Sequence, residues 1–481
     1  MNLSMIAYIV GCVLEIEAAL MLLPALVGLC YRESSAWAFV ICAVAAAIVG
    51  AIPLIKKPKN KSIYAREGFA ATALSWIIMS AVGAVPFCIT GQIPNFLDAL
   101  FEMVSGFTTT GASILTRVEE LDHCMLFWRS FSHWVGGMGV LVFMLAVLPM
   151  VGGQNLHLMR AESPGPSVGK LVPKLRNSAI WLYGIYLVLT ILCFLLLWLG
   201  GMTPFEAACL SLGTAGTGGF SIVSTNYASY TMFCKVVTTV FMLLCGMNFN
   251  FYYFLVLRKV KDALKMEEVI WYIVIYLFAS VTILLDLYCA GMLGNDAQVI
   301  DAFFNVSSVM TTTGYATSDF NLWPTYSRVI LVAIMFVGGC AGSTAGGIKV
   351  SRWIIYWKGI RAELRRMTHP RTVRHVRLEG KRVEDNVLQN TFVYLAFFVL
   401  LYVASLLIVC MDGLDLTTSF TAVAATINNI GPGLEIVGPM GSFASLSWLS
   451  KLVLTFDMLA GRLEIFPMLI LFLPSTWKKH D

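Results

Sequence analysis

Four short runs in this chain end in the same way. Phe101–Ser113 reads FEMVSGFTTTGAS and Phe304–Thr317 reads FNVSSVMTTTGYAT. A looser copy, FEAACLSLGTAGTGGFS, covers Phe205–Ser221, and the most degenerate, FTAVAATINNIGPG, covers Phe420–Gly433. The closing glycines read as Gly111, Gly218, Gly314 and Gly431, at spacings of 107, 96 and 117 residues, which makes four degenerate repeats of about the same length. Each apolar run is about ten residues, too short to cross a bilayer core that needs roughly twenty. It can enter halfway and turn back, and the extended backbone that follows is tolerated at that depth only if it is buried or lines a watery cavity. Threonine favours an extended chain and carries a hydroxyl. Glycine admits positive φ, so that successive carbonyls can point the same way. Four such segments would surround an axis with oxygen atoms, as a selectivity filter does when it replaces an ion's hydration shell. The carboxyl end of each short helix would aim its negative dipole end at a cation. A lone Thr-Thr-Thr-Gly run reads as a helix end or loop. Two close copies and two degenerate ones, each between long apolar segments, do not.

The surrounding composition fits that reading. The chain is 58% hydrophobic and 13% charged, with a mean hydropathy of +0.78. A soluble domain is nearer to a quarter charged, so the fold class expected is an all-α polytopic membrane protein. Apolar segments long enough to span fall near 5–31, 36–55, 69–91, 125–150, 179–201, 231–257, 269–292, 326–357, 389–411 and 446–474, ten transmembrane helices in all. The expected layout is an N-terminal hairpin (1–60) followed by four pseudo-fourfold units of helix, pore helix, filter and helix: 67–150, 178–260, 266–360 and 386–481. The N-terminus lacks a basic leader, so it is read as a retained membrane helix. The 12 cysteines and 6 histidines show no CxxC, HExxH or Cys/His cluster, and no metal centre or disulfide framework is expected.

Orientation follows from the basic residues. With a cytoplasmic N-terminus, 26 of the 33 lysines and arginines fall on the inner side. They include Lys56, Lys57, Lys59, Lys61, Arg160, Lys170, Lys174, Arg371, Arg374, Lys478 and Lys479. Both termini are then cytoplasmic and every filter lies in the outer half. Acids cluster on that outer face: Asp98, Glu102, Glu119, Glu120, Asp122, Glu206, Asp301, Asp319 and Glu435. A ring of them would concentrate cations at a pore mouth. Glu102 and Glu206 sit within the short helices, where a buried carboxylate could brace the filter backbone.

The filter is assigned to Thr109, Thr110 and Gly111; Thr217 and Gly218; Thr312, Thr313 and Gly314; and Asn429, Ile430 and Gly431, acting through backbone carbonyls. The stretch Gly338–Lys349 (GGCAGSTAGGIK) has almost no side-chain volume and interrupts an apolar segment. It reads either as a close helix–helix contact or as a broken helix whose loop crosses a cavity. Arg462, inside the last apolar segment, must face a cavity or a partner, with Asp457 and Glu464 as candidates.

These motifs resemble the Trk/Ktr/HKT superfamily of potassium transporters over nearly the whole chain. The four filter glycines, GGCAGSTAGGIK and the stretch AGRLEIFP at Ala460–Pro467 carry the resemblance, and the leading hairpin makes the chain similar to the TrkH/TrkG branch rather than the shorter KtrB branch. The resemblance implies a potassium pore within each chain in the cytoplasmic membrane of a prokaryote. It implies an intramembrane gate formed by Gly338, Gly339, Gly342, Ser343, Thr344, Gly346, Gly347 and Lys349, and a constriction at Arg462. It also implies a homodimer and a cytosolic ring of TrkA-type nucleotide-binding subunits docked near the basic loop Arg352–Asn386. In plant relatives a serine at the first filter glycine goes with sodium permeation, so Gly111 favours potassium. The chain itself has no GxGxxG after a strand and no Walker A motif, so nucleotide control would come from a partner. No cofactor, nucleic-acid partner or enzymatic constellation is expected. The alternative kept open is a broken-helix secondary transporter for another small solute or for sodium.

Overall fold

The structure, a computed structural model, describes residues 1–55, 58, 63–139, 175–369 and 375–477. Helices dominate it, and the strands among the described residues are β1 (Arg377–Leu378) and β2 (Lys381–Arg382), paired antiparallel. Helices α1 (Leu3–Tyr31) and α2 (Ala36–Ile55) form the leading hairpin. They approach closely where Gly11 faces Pro53 and the Gly50 carbonyl; a Cβ at Gly11 would lie 2.6 and 2.7 Å from those atoms. The long helices α3 (Ala65–Ile89), α6 (Leu175–Leu199), α11 (Glu267–Cys289) and α15 (Asp385–Val409) follow at wide intervals. Leu199, Phe278 and Leu400 stand exposed on them, as a lipid-facing surface requires.

Between these lie four short helices: α4 (Phe96–Phe107), α7 (Pro204–Gly216), α12 (Asp296–Met310) and α16 (Leu416–Ile427). Each starts on a polar cap, where Asn95, Thr203, Asn295 or Asp415 accepts a backbone N–H of the first turn. Their buried positions cluster toward their carboxyl ends, where they converge in the core.

By length and apolarity, six of the described helices can cross a membrane, or seven if one bent pair counts as a span. The difference from the segments read in the sequence has a physical cause. The helices that follow the second, third and fourth of these short helices are broken. Helix α8 (Met232–Gly246) turns through 90° into α9 (Phe249–Val256). Asn248 makes that turn by capping the new helix through Asn250 N–H. Helix α13 (Thr325–Met335) stops before the glycine-rich stretch, and α14 (Val350–Thr368) starts after it. Helix α17 (Trp448–Arg462) is separated from α18 (Phe466–Phe472) by Glu464 and Ile465, at φ 59° and 68°. The sequence segments 231–257, 326–357 and 446–474 are therefore each two helices rather than one. The first of the set, α5 (His123–Gly137), is described to Gly139. The rest of the 125–150 segment lies outside the described residues, as do Lys56, Lys57, Lys59, Lys61, Arg160, Lys170, Lys174, Arg371, Arg374, Lys478 and Lys479.

Candidate ion-filter site

All four short helices end in one geometry. The residue after the last turn is left-handed: Thr109 (φ 55°), Thr217 (54°), Thr312 (55°) and Asn429 (55°). The next residue donates its N–H five residues back. Thr110 reaches Ser105 O at 2.9 Å, Gly218 reaches Gly213 O at 2.9 Å, Thr313 reaches Ser308 O at 2.8 Å and Ile430 reaches Ala425 O at 2.8 Å. This is a Schellman ending built on residues that resist it. A left-handed threonine costs roughly 1–2 kcal/mol, strain that persists only where surrounding structure fixes it.

The third position is a glycine in every segment: Gly111 (φ 82°), Gly219 (82°), Gly314 (89°) and Gly431 (99°). The second segment is therefore one residue out of step with the sequence reading. Gly219 takes the place assigned to Gly218, and Gly218 takes the place of Thr110, Thr313 and Ile430. The contacts of these glycines close a circle. A Cβ at Gly111 would collide with the carbonyl oxygen of Gly218, one at Gly219 with that of Thr313, and one at Gly314 with that of Ile430. A Cβ at Gly431 would lie 2.7 Å from the carbonyl oxygen of Thr110, back in the first segment. All four glycines line one cavity of about 240 Å³.

Side chains on the short helices hold the chain that leaves the ring. Glu102 accepts the Ile114 N–H at 3.0 Å and the Ser113 hydroxyl at 2.9 Å. Asn305 accepts the Thr317 N–H at 3.4 Å, and the Thr421 hydroxyl accepts the Leu434 N–H at 2.9 Å. Ile114, Thr317 and Leu434 each lie three residues past their glycine. Glu102 also pairs with the buried Arg129 at 2.8 Å, and Arg129 donates to Ser221 O at 3.2 Å, beside the second segment. Glu102 thus braces the backbone that leaves the ring after Gly111. Glu206 does not: it accepts Thr203 N–H and its hydroxyl at 2.8 Å, closing a capping box at the start of α7. Glu102→Ala leaves Arg129 buried without its carboxylate. The expected cost is about 3–5 kcal/mol, read as a lower unfolding midpoint in detergent.

The second segment is held from outside by His133 of α5. Its Nδ1–H donates to Gly106 O at 2.7 Å and its Nε2 accepts the Phe220 N–H at 3.1 Å, so both hydrogen bonds use the neutral imidazole. The ring fills the space a side chain at Gly218 would need. That is why Thr217-Gly218-Gly219 departs from Thr-Thr-Gly. Gly218→Ala should reduce flux about tenfold or more, a loss of about 1.4 kcal/mol or more, and His133→Ala in the same chain should restore part of it. Ion uptake into liposomes by the single and double variants checks this.

The ring is tied shut by ion pairs: Lys451 with Asp98 at 2.7 Å, Lys235 with Asp301 at 3.3 Å and Arg328 with Glu435 at 3.2 Å. Glu120 pairs with Arg117. Five of the nine outer acids thus have a basic partner, and through it Asp98, Glu102, Asp301 and Glu435 clasp a neighbouring element.

On the face of the ring away from the cavity lies the stretch Gly338–Lys349. Gly346 N–H donates to the Thr312 hydroxyl at 2.6 Å, and a Cβ on Gly346 would sit 2.6 Å from Asn428 O. Gly338, Gly342 and Gly347 have φ of 73°, 68° and 78°, and Gly338 and Gly347 touch, so the stretch is a closed loop. Ser343 donates to Cys340 O at 2.7 Å, Thr344 to Cys245 O at 3.1 Å, and the buried Lys349 ammonium to Ala345 O. Gly339 packs against Ala345 and the Gly246 carbonyl. The reading as a broken helix holds, and that as a continuous helix–helix contact does not. Arg462 donates to Thr344 O at 2.7 Å and to Gly136 O and Gly137 O at 2.6 and 2.7 Å, so it joins the end of α17 to the loop and to the end of α5. Of the acids considered for it, Glu464 is bound by Arg352, and Asp457 accepts from Ser405 at 2.7 Å.

A sequence model of the TrkH family, described as cation transport protein, matches residues 35–479. The chain belongs to the TrkH family. It is 36% identical to the Trk system potassium uptake protein TrkH of Salmonella typhimurium, over the full length of both. It is 34% identical to the Trk system potassium uptake protein TrkG of Escherichia coli K12, over 99% of each. The crystal structure of the potassium transporter TrkH from Vibrio parahaemolyticus matches with a TM-score of 0.88 at 34% identity, covering 99% of this chain and 100% of that one. This TrkH-family chain is a multi-pass membrane protein. The sequence reading missed Gly219, His133 and Arg129 at its ring. A histidine or arginine within an apolar helix was the available signal for the last two.

Proposed function

We propose that the chain is a potassium uptake protein of the cytoplasmic membrane, with both termini cytoplasmic and a pore inside each protomer. The observation that carries this is the closed circle of Gly111, Gly219, Gly314 and Gly431, each seated against the neighbouring segment's carbonyl. Such a ring supplies backbone oxygens in place of water around a dehydrated cation. The filter is Thr109, Thr110, Gly111, Thr217, Gly218, Gly219, Thr312, Thr313, Gly314, Asn429, Ile430 and Gly431. The names of the relatives favour potassium over another solute. The broken helices meet beneath the ring, where they support a gate rather than a separate solute site. The reading includes ten crossings, with the hairpin 1–60 followed by units 67–150, 178–260, 266–360 and 386–481.

The loop Gly338–Lys349 is the gate and Arg462 the constriction below the filter. A homodimer and a cytosolic TrkA-type nucleotide-binding ring complete the assembly, acting through the basic face around Arg352–Asn386. The protein is a transporter with potassium as its substrate, and the reading needs no enzymatic step or cofactor. Purified protein in liposomes tests it. Potassium uptake should exceed sodium uptake under equal gradients, and equal uptake of both would overturn the potassium assignment. Arg462→Ala should raise potassium flux severalfold in a chain that still folds, since it removes a fixed charge and frees Thr344 O. Lower thermal stability with unchanged flux would leave Arg462 a structural role only.

A further inference from the structure

Glu268 lies in the first turn of α11, and it is buried. A carboxylate there would ordinarily serve its own helix's free N–H groups. This one serves three other places. Its Oε1 accepts the Ala341 N–H at 2.7 Å and the Ser351 N–H at 3.1 Å. Ala341 is near the start of the glycine-rich loop and Ser351 just past its end, so one oxygen atom holds both ends. Its Oε2 accepts Asn248 Nδ2–H at 3.0 Å, at the bend between α8 and α9. The bend contacts the loop again, since Phe249 N–H donates to Gly342 O at 3.0 Å and Cys340 N–H to Gly246 O at 2.9 Å.

The post that carries Glu268 is itself fixed. The adjacent Glu267 pairs with Lys358 of α14 at 2.5 Å, and Lys358 also donates to Arg377 O at 2.9 Å. Glycine-rich backbone has a high conformational entropy and holds no single arrangement unaided. Charge-assisted hydrogen bonds are about twice as strong as neutral ones. Three of them converge on one buried carboxylate, beside the backbone bonds Lys349 N–H to Val337 O at 3.1 Å and Val350 N–H to Gly339 O at 3.0 Å that also close the loop's base.

We propose that Glu268 is a positioning residue that sets the resting state of the loop, by stapling its two ends to each other and to the Asn248 bend. The proposal rests on the loop being the gate. Releasing the staple shifts the loop away from Thr312 and Asn428 while leaving the glycine-to-carbonyl contacts between the four segments in place. Cys340, fully buried at the loop's start, reports such a shift because a released loop exposes its thiol.

The test uses full-length Glu268→Ala and Glu268→Gln in liposomes, with potassium and sodium uptake measured beside alkylation of Cys340, read by peptide mass spectrometry. Glu268→Ala removes all three bonds, each alone worth about a factor of ten, and is expected to raise basal potassium flux on the order of tenfold or more. It should also speed Cys340 alkylation and leave the potassium-to-sodium ratio unchanged. Glu268→Gln, which keeps an acceptor oxygen, should fall between. A folded Glu268→Ala with parental flux and a protected Cys340 overturns the proposal. If the alanine variant is recovered only as aggregate, parental behaviour of Glu268→Gln on both readouts overturns it equally. A chain lacking Gly339–Gly346 is run in parallel. If that deletion raises flux and Glu268→Ala does not, the staple fails while the gate stands; if neither does, the gate itself fails.

Discussion

Gly219→Ala is expected to abolish selective potassium uptake while the protein still folds and inserts. The glycine has φ 82°, and a Cβ there would collide with the Thr313 carbonyl oxygen in the next segment. A left-handed alanine alone costs roughly 1–2 kcal/mol, and the collision must also be relieved by moving that carbonyl out of the ring. Since about 1.4 kcal/mol is a factor of ten, the potassium-to-sodium ratio should fall tenfold or more. Unlike Gly218→Ala, this variant should gain nothing from His133→Ala, because its obstacle is backbone rather than the imidazole. Uptake of the two ions by the single and double variants decides between these outcomes. A Gly219→Ala chain with parental selectivity would remove the second segment from the filter.

Deleting Gly339–Gly346 is expected to give the opposite phenotype, high potassium flux with selectivity retained. Gly338 and Gly347 already touch, so the cut ends meet with little movement of α13 or α14. The deletion removes the Gly346 contacts under Thr312 and Asn428 and the Thr344 carbonyl that Arg462 binds. It also removes the segment through which a cytosolic partner pulling on α14 would act. Flux into liposomes with and without that partner and its nucleotide measures both effects. A folded deletion chain that conducts no more than the parent and still responds to nucleotide would make the loop packing rather than a gate.

The shared ending of the four short helices was legible because it needs residues with few substitutes, namely glycine at positive φ after a short apolar helix. Its register in the second copy was not. Thr217-Gly218-Gly219 offers two glycines, and the choice depends on the His133 ring, which is distant in sequence. Glu206 was readable as a cap, since Thr203 precedes it by three residues, but its place in a short helix drew attention to the filter instead. The bend at Gly246–Phe249 was hidden, because its flanks are as apolar as a continuous span and hydropathy does not register a change of direction. Glu268 looked like an ordinary acidic helix start beside Glu267. Its role appears only once the loop, whose bonded residues lie 73 and 83 positions later, has folded back onto it.

Crystals of the protein grown in rubidium, with anomalous scattering recorded at the rubidium edge, test the central claim most directly. The account predicts a peak on the axis enclosed by Thr109–Gly111, Thr217–Gly219, Thr312–Gly314 and Asn429–Gly431, weakened by competing potassium and insensitive to the same concentration of sodium. A peak confined to the space among the broken helices, with none inside the ring, would contradict it.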